Sequence, residues 1–261
     1  LEKCKNLKVI SRHGVGYDNI DTKVLKEKKI SLLVTGTTTS ISPAEHIMFM
    51  ILNISKSFNL FDKSVREGEF DNVMHMKHES FELLGKKVLI VGFGRIGKQL
   101  IKRCLGFEMK VFAYDPFVDK KVIEELGGKK IDNLEEGLKE ADILSLSVPL
   151  TKDTNNMINL EKMKKMKKTS IIINTSRGGV VNEKDLNTAL DKEIIYGAGL
   201  DVFEKEPPNK DNPLLKNKKV ILSPHAATFT KECLSNMAVQ TAQNIIDFFE
   251  NNLNKSMIVK L

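Results

Sequence analysis

At 261 residues, 41% of them hydrophobic, the chain has material for one or two buried cores. Its formal charge of +7 comes mostly from lysines that alternate with acids; only five residues are arginine and no aromatic-interleaved basic stripe occurs, which argues against a nucleic-acid surface. No apolar run nears the ~18 residues that cross a bilayer and no charged-then-apolar leader opens the chain. Cys4, Cys104 and Cys233 lie scattered without Cys-x-x-Cys spacing, so reduced thiols, no metal site and a cytoplasmic location are expected.

Residues 7–11 read as a short strand. The loop that follows, Arg12-His13-Gly14-Val15-Gly16-Tyr17-Asp18-Asn19-Ile20-Asp21, holds two glycines that fit either an ordinary turn or a nest of backbone N–H groups for a carboxylate. Asp21 is placed to cap a helix over 22–28, and 30–34 is a second strand. The small polar run 35–40 suits a hinge. Ser42-Pro43-Ala44-Glu45 then combines an N-cap serine, a proline at the first helical position and a glutamate three residues on. The helix continues through Ile47, Met48, Met50, Ile51 and Ile54 and is apolar almost all round, so burial between domains or subunits is expected. His46 on this helix reads as structural rather than as a ligand. His75 and His78 read as surface residues.

The stretch from Lys86 to Lys98 organises the rest. A β-branched run ends at Gly92, a Gly-x-Gly-x-x-Gly turn follows (Gly92, Gly94, Gly97), and Ile96, Leu100, Ile101, Cys104 and Leu105 recur at helical spacing. Gly92 allows the sharp turn, Gly94 lets the backbone approach a pyrophosphate, and Gly97 lets helix and strand pack closely, with the helix N-terminus facing the phosphates. Residues 110–114 read as the next strand. It ends at Asp115, eighteen residues after Gly97, where a carboxylate can accept from an adenosine ribose and would repel a 2′-phosphate. That order favours NAD.

Beyond it, helix patterns over 119–126, 134–140, 160–166 and 183–191 alternate with strand patterns over 143–148, 170–174, 196–201 and 220–223. Such alternation implies βαβ units and a parallel sheet with helices on both faces. The lysine-rich run 161–168 reads as a solvated helix face. Three strand ends carry unusual chemistry: Asn174-Thr175-Ser176-Arg177-Gly178-Gly179, then Asp201 and Glu206, then Ser223-Pro224-His225. An arginine fork binds a carboxylate and polarises an adjacent carbonyl, a histidine moves a proton near neutral pH, and a glutamate orients the imidazole. Together these types suit reduction of an anionic 2-oxo acid.

At this point the sequence resembles the D-isomer-specific 2-hydroxyacid dehydrogenase family over essentially its whole length. The motifs that carry the likeness are residues 13–21, Ala44-Glu45-His46, the glycine turn, Val148-Pro149-Leu150-Thr151, residues 174–178, Leu200-Asp201-Val202-Phe203 with Glu206-Pro207, and Ser223-Pro224-His225. The resemblance implies an α/β fold: a Rossmann-type doubly wound parallel sheet over 40–228, and a smaller flavodoxin-like substrate domain from 1–39 and 229–261. That second domain would lack its N-terminal part, because family members carry several tens of residues before the equivalent of Leu7. It implies Arg177, Glu206 and His225 as catalytic residues, and Arg177, Val15 and Gly16 as substrate-binding. Gly92, Gly94, Arg95, Ile96, Gly97, Asp115, Val148, Pro149, Thr175, Ser176, Asp201 and Ala227 would surround NAD. Arg12 in the substrate loop suits an extra anionic group, which leans towards 3-phosphoglycerate. A homodimer acting on a small anionic 2-hydroxy or 2-oxo acid is expected, with no nucleic-acid or membrane partner. A non-catalytic NAD(H) sensor is the alternative, since the family includes a transcriptional corepressor; an inactive fragment is another.

Overall fold

Gly-rich strand ends and β-branched strand interiors divide this chain cleanly into elements. The computed structural model describes residues 3–36, 39–74 and 80–261, which leaves the surface reading of His75 and His78, and Thr37 and Thr38 of the hinge reading, outside the described residues. In chain order the elements are β1 (Val9–Arg12), α1 (Thr22–Glu27), β2 (Ser31–Val34), α2 (Ile41–Ser55), α3 (Phe58–Arg66), α4 (Phe70–Met74), β3 (Lys87–Val91), α5 (Arg95–Gly106), β4 (Lys110–Tyr114), α6 (Lys120–Glu125), β5 (Lys129–Lys130), α7 (Leu134–Glu140), β6 (Ile143–Leu146), α8 (Leu160–Met163), β7 (Ile171–Asn174), α9 (Glu183–Asp191), β8 (Gly197–Leu200), β9 (Val220–Leu222) and α10 (Lys231–Phe249). The chain forms two compact units, one of Leu1–Ser42 with Thr228–Leu261 and one of Pro43–Ala227.

The smaller unit pairs β1 and β2 in parallel. Asp21 Oδ1 accepts from the N–H groups of Lys23 and Val24 and so caps α1. Leu25, Ile30 and Leu32 form its core, and Leu7, Ile10, Ile20, Val259 and Leu261 pack around them. The chain's end is tied in by Val259 N–H donating to Leu32 O at 2.9 Å, and α10 by Asn244 Nδ2 donating to Val34 O at 3.2 Å.

The larger unit holds a seven-stranded sheet, all parallel, in the order β5-β4-β3-β6-β7-β8-β9. Alternate residues of each strand enter opposite cores, as period-two side chains require. Leu89, Val91, Leu144, Leu146 and Ile172 face one core, with Leu138, Met163 and Leu186 from α7, α8 and α9. Val88, Ile90, Ile143, Ile171 and Ile173 face the other, with Met50 and Ile51 of α2, Leu100 and Ile101 of α5 and Ile123 of α6. This is the Rossmann-type doubly wound sheet that the alternating pattern implies. α2 lies close on β8 because that strand reads Gly-Ala-Gly: a Cβ on Gly199 would meet the Met50 side chain at 3.0 Å, and one on Gly197 the Ile54 side chain at 3.4 Å.

Several local expectations need correction. α2 begins at Ile41, so Ser42 is not its N-cap; the Ser42 hydroxyl instead lies 2.8 Å from Thr230 Oγ1. Pro43 therefore sits third in the helix, which is tolerated because a first-turn N–H has no helical acceptor anyway. α2 is not buried all round, since Glu45 and Phe49 are exposed. α8 stops at Met163 rather than 166; Met163 and Met166 are buried, and the neighbouring lysines are paired: Lys164 with Glu161, Lys165 with Glu135 and Lys167 with Asp142. α3 and α4 have no counterpart in the sequence reading. Cys104 and Cys233 are buried free thiols and Cys4 is an exposed one; burial pushes the Cys104 thiol up to about 12.

Candidate active site

The sheet's strand order reverses between β3 and β6, and the crevice beyond the carboxyl ends at such a switch is where ligands bind in this architecture. Gly92 ends β3 there at φ 89°, and a Cβ on it would lie 2.5 Å from the Ser147 carbonyl oxygen just past β6. A Cβ on Gly97 would lie 2.8 Å from Gly92 O, so α5 reaches the turn only without one. At Gly94 a Cβ would meet nothing within 4 Å among the described residues. That opening sits at the N-terminus of α5, beside the exposed Arg95 and half-buried Ile96, where backbone N–H groups and the helix dipole favour a phosphate.

Asp115 at the end of β4 is half-buried. Its Oδ2 accepts from Phe93 N–H and its Oδ1 from Phe117 N–H, each at 2.8 Å. Each carboxylate oxygen retains a second lone pair for a ribose hydroxyl. At the ends of β6 and β7, Ser147 Oγ and Thr175 Oγ1 are buried and have no hydrogen-bond partner among the described residues. Buried hydroxyls are rarely left so. An open cradle at Gly94, a carboxylate at the second strand's end and orphaned hydroxyls along the crevice fit a dinucleotide. Val148 packs on the Gly92 turn, and the carbonyl of the exposed Pro149 accepts from Thr154 Oγ1 at 2.6 Å. Ser176 is turned inward: its N–H and Oγ both donate to Asn174 Oδ1, at 3.1 and 2.7 Å.

The arginine loop is built by Asn174, whose Nδ2 donates to Arg177 O at 2.9 Å while its Oδ1 holds Ser176. Arg177 is half-buried and its Nη1 donates to Ser176 O at 2.6 Å. Gly178 lets this loop touch the next one, since a Cβ there would fall 1.7 Å from Phe203 O. After β8, Asp201 is fully buried. Its Oδ1 accepts from Ser223 Oγ at 2.6 Å and Ala226 N–H at 2.7 Å, and its Oδ2 from Ala227 N–H at 3.0 Å. His225 sits in this turn at φ 53°, its N–H donating to Asp201 O at 2.7 Å. The imidazole Nδ1 lies 2.8 Å from Glu206 Oε2, and Glu206 Oε1 accepts from Phe203 N–H at 3.1 Å. Both side chains are partly exposed, 49% for His225 and 39% for Glu206. A carboxylate on Nδ1 fixes the proton there and leaves Nε2 for a substrate oxygen.

In the smaller unit, Arg12 Nε donates to Gly16 O at 2.9 Å and so closes its own loop. Gly14, at φ 124°, donates its N–H to Thr35 Oγ1 at 2.9 Å, and Val15 is 42% exposed. Among the described residues no group of three His, Cys, Asp or Glu could hold a metal ion, and no helix is long and apolar enough to cross a membrane. Asn174, Gly178 and Ser223 stand in the sequence motifs, but their structural parts are set by contacts: Asn174 ties its own loop through Ser176 and Arg177, while Gly178 and Ser223 meet partners from other loops. His46, which reads as structural in the sequence, has its Nε2 2.8 Å from Ser223 Oγ.

Turn, sheet and strand-end chemistry together define a nicotinamide-dinucleotide-binding α/β domain. The family model described as "D-isomer specific 2-hydroxyacid dehydrogenase, NAD binding domain" matches residues 48–227, and the chain belongs to that family, with NAD as its cofactor. It is 39% identical to D-3-phosphoglycerate dehydrogenase of Methanocaldococcus jannaschii over 99% of this chain and 48% of that protein. It is equally 39% identical to glyoxylate reductase of Thermococcus litoralis over 100% of this chain and 79% of that protein. Among solved structures, D-lactate dehydrogenase of Aquifex aeolicus, complexed with NAD and lactic acid, matches with a TM-score of 0.88 at 33% identity, over 99% of this chain and 82% of that one. The chain spans about half the length of the phosphoglycerate dehydrogenases it matches.

Proposed function

We propose that this protein is an NAD-dependent D-2-hydroxyacid dehydrogenase that interconverts a small 2-oxo acid and its D-2-hydroxy acid. The observation that carries this reading is the His225–Glu206 pair, 2.8 Å apart on the loops after β9 and β8, at the strand ends that also carry Arg177. The bound nicotinamide supplies the hydride that C2 of the oxo acid accepts. Arg177 binds the substrate carboxylate with its fork and polarises the C2 carbonyl. His225 Nε2 gives a proton to the oxygen at C2 during reduction and takes it back during oxidation. Glu206 holds the ring by Nδ1 and stabilises its charged form. The relatives named above act on glyoxylate and on 3-phosphoglycerate, which supports a short anionic substrate, with a phosphorylated three-carbon acid as one member of the class.

A homodimer through the α2–α4 face is part of the same proposal. Phe49, Phe58, Val65 and Phe70 are large apolar residues more than half exposed in that segment. Sedimentation showing only monomer at micromolar concentration would refute it. The three free thiols support a reducing compartment.

The decisive experiment follows NADH oxidation with glyoxylate, pyruvate, hydroxypyruvate and 3-phosphohydroxypyruvate, beside a direct NADH-binding titration. Turnover on at least one acid is expected, and His225→Ala should lower it by about 10²–10⁴-fold while NADH still binds. NADH binding with no turnover on any acid would overturn the dehydrogenase reading in favour of a sensor.

A further inference from the structure

The turn that presents His225 is secured by an element far away in sequence. Asp201, fully buried, takes three hydrogen bonds from residues 223–227, so the shape of the turn depends on where that carboxylate stands. Ser223 has one hydroxyl hydrogen, and it is spent on Asp201 Oδ1 at 2.6 Å. The contact of 2.8 Å between Ser223 Oγ and His46 Nε2 must therefore have the imidazole as donor and the serine lone pair as acceptor. That fixes the proton of His46 on Nε2, which also lies 3.7 Å from Asp201 Oδ1. His46 is mostly covered, with 19% of its side chain exposed, and its ring stacks at a tilt near Phe49. It reaches the turn because Gly197 and Gly199 let α2 lie flat on β8, one helical turn further along at Met50.

We propose that His46 is a positioning residue for the dehydrogenase reaction: through Ser223 and Asp201 it holds the turn that aims His225 at the substrate oxygen. His225 occupies the left-handed region at φ 53°, a conformation that a non-glycine residue keeps only where its surroundings over-determine it. The chain His46–Ser223–Asp201, with the Asp201 carbonyl on His225 N–H at 2.7 Å, is that surrounding. This inference rests on the proposed dehydrogenase activity for its kinetic consequence, but not for its structural one.

The test compares His46→Leu, His46→Gln and wild type. A glutamine side-chain N–H can reach Ser223 Oγ as Nε2 does, whereas leucine fills the space without a donor. His46→Leu should lower kcat about tenfold or more, since small misplacements of an acid–base group are costly, while NADH affinity stays unchanged. His46→Gln should restore most of the turnover. Independently of activity, long-range proton–nitrogen spectra of histidine-labelled protein should show His46 protonated on Nε2, and His46→Leu should shift the ring signals of His225. Equal kcat in all three proteins with unmoved His225 signals, or His46 protonated on Nδ1, would overturn the proposal. If wild type turns over no oxo acid, the dehydrogenase reading fails, and the histidine signals alone decide whether His46 holds the turn.

Discussion

Gly178 and Phe203 meet so closely that a single carbon added to the glycine would lie 1.7 Å from the phenylalanine carbonyl oxygen. The contact welds the arginine loop after β7 to the Glu206 loop after β8. Gly178→Ala must therefore part the two loops, because the obstacle is main chain and cannot rotate away. A loss of about 2–4 kcal/mol in urea denaturation is expected, with turnover falling further than stability accounts for. An unchanged midpoint would show that the loops separate freely.

Glu206 and His225 test the acid–base assignment without emptying the site. Glu206→Gln keeps the shape but has one acceptor oxygen where Glu206 uses two, for His225 Nδ1 and for Phe203 N–H, and it removes the negative charge beside the ring. A fall in kcat of about 10–100-fold is expected, with NADH affinity intact. Steady-state rates beside an NADH titration separate the two effects. Equal loss in both would make Glu206 a structural residue only.

Asp142, at the amino end of β6, bears on acid stability. Burial pushes its carboxyl up, but Lys167 Nζ and Lys87 N–H, each at 2.8 Å, outweigh that and hold it below the ordinary aspartate value. A depressed native pKa means stability that is fully present above about pH 4 and lost as pH falls through the native value. Asp142→Asn should cost about 1 kcal/mol at neutral pH, its partial exposure taken into account. The difference from wild type should shrink in denaturation curves taken near pH 3 or below (about one unit under the usual aspartate pKa). A gap constant across that range would refute the ion-pair account.

Ser145 is fully buried in the middle of β6, and its hydroxyl has no partner among the described residues. It lies on the same face as Ile143, against the core that holds α2 and α5. Ser145→Ala removes a desolvated donor and leaves little empty space. A gain of about 1 kcal/mol, read as a higher melting temperature, is expected. A clear loss would mean that the hydroxyl is satisfied in solution.

The parts legible in the sequence are those whose cause is local. The Gly92 turn, α5 and Asp115 follow each other within one βαβ unit, so glycine spacing, helical period and strand end all speak together. Arg177, Glu206 and His225 could be picked out because strand ends in a parallel sheet share one edge. What stayed hidden depends on contacts between distant segments. Nothing near His46 announces Ser223, which lies 2.8 Å away across the whole larger unit of sequence. Gly178 reads as a loop glycine until the Phe203 carbonyl of the next loop is seen against it. α3 and α4 escaped because Phe58, Leu60 and Phe70 are exposed, so their apolar pattern marks no buried face. The Ser42 cap failed for the opposite reason: its local signal is strong, but α2 already starts at Ile41 and the Ser42 hydroxyl turns to Thr230 Oγ1 instead.

The carboxylate of Asp115 has a consequence for anyone who would retune this protein's cofactor choice. Its oxygens receive Phe93 N–H from the glycine turn and Phe117 N–H from the loop after β4, so deleting the acid to admit a phosphorylated ribose also unfastens the turn proposed to cradle the pyrophosphate. Asp115→Ala should therefore weaken both coenzymes, whereas Asp115→Asn, neutral and with one acceptor oxygen in place of two, keeps only one of the two N–H groups clasped. In the proposed binding mode coenzyme preference and phosphate grip are joined in one side chain, because a neutral amide there supplies only one of the two acceptor oxygens.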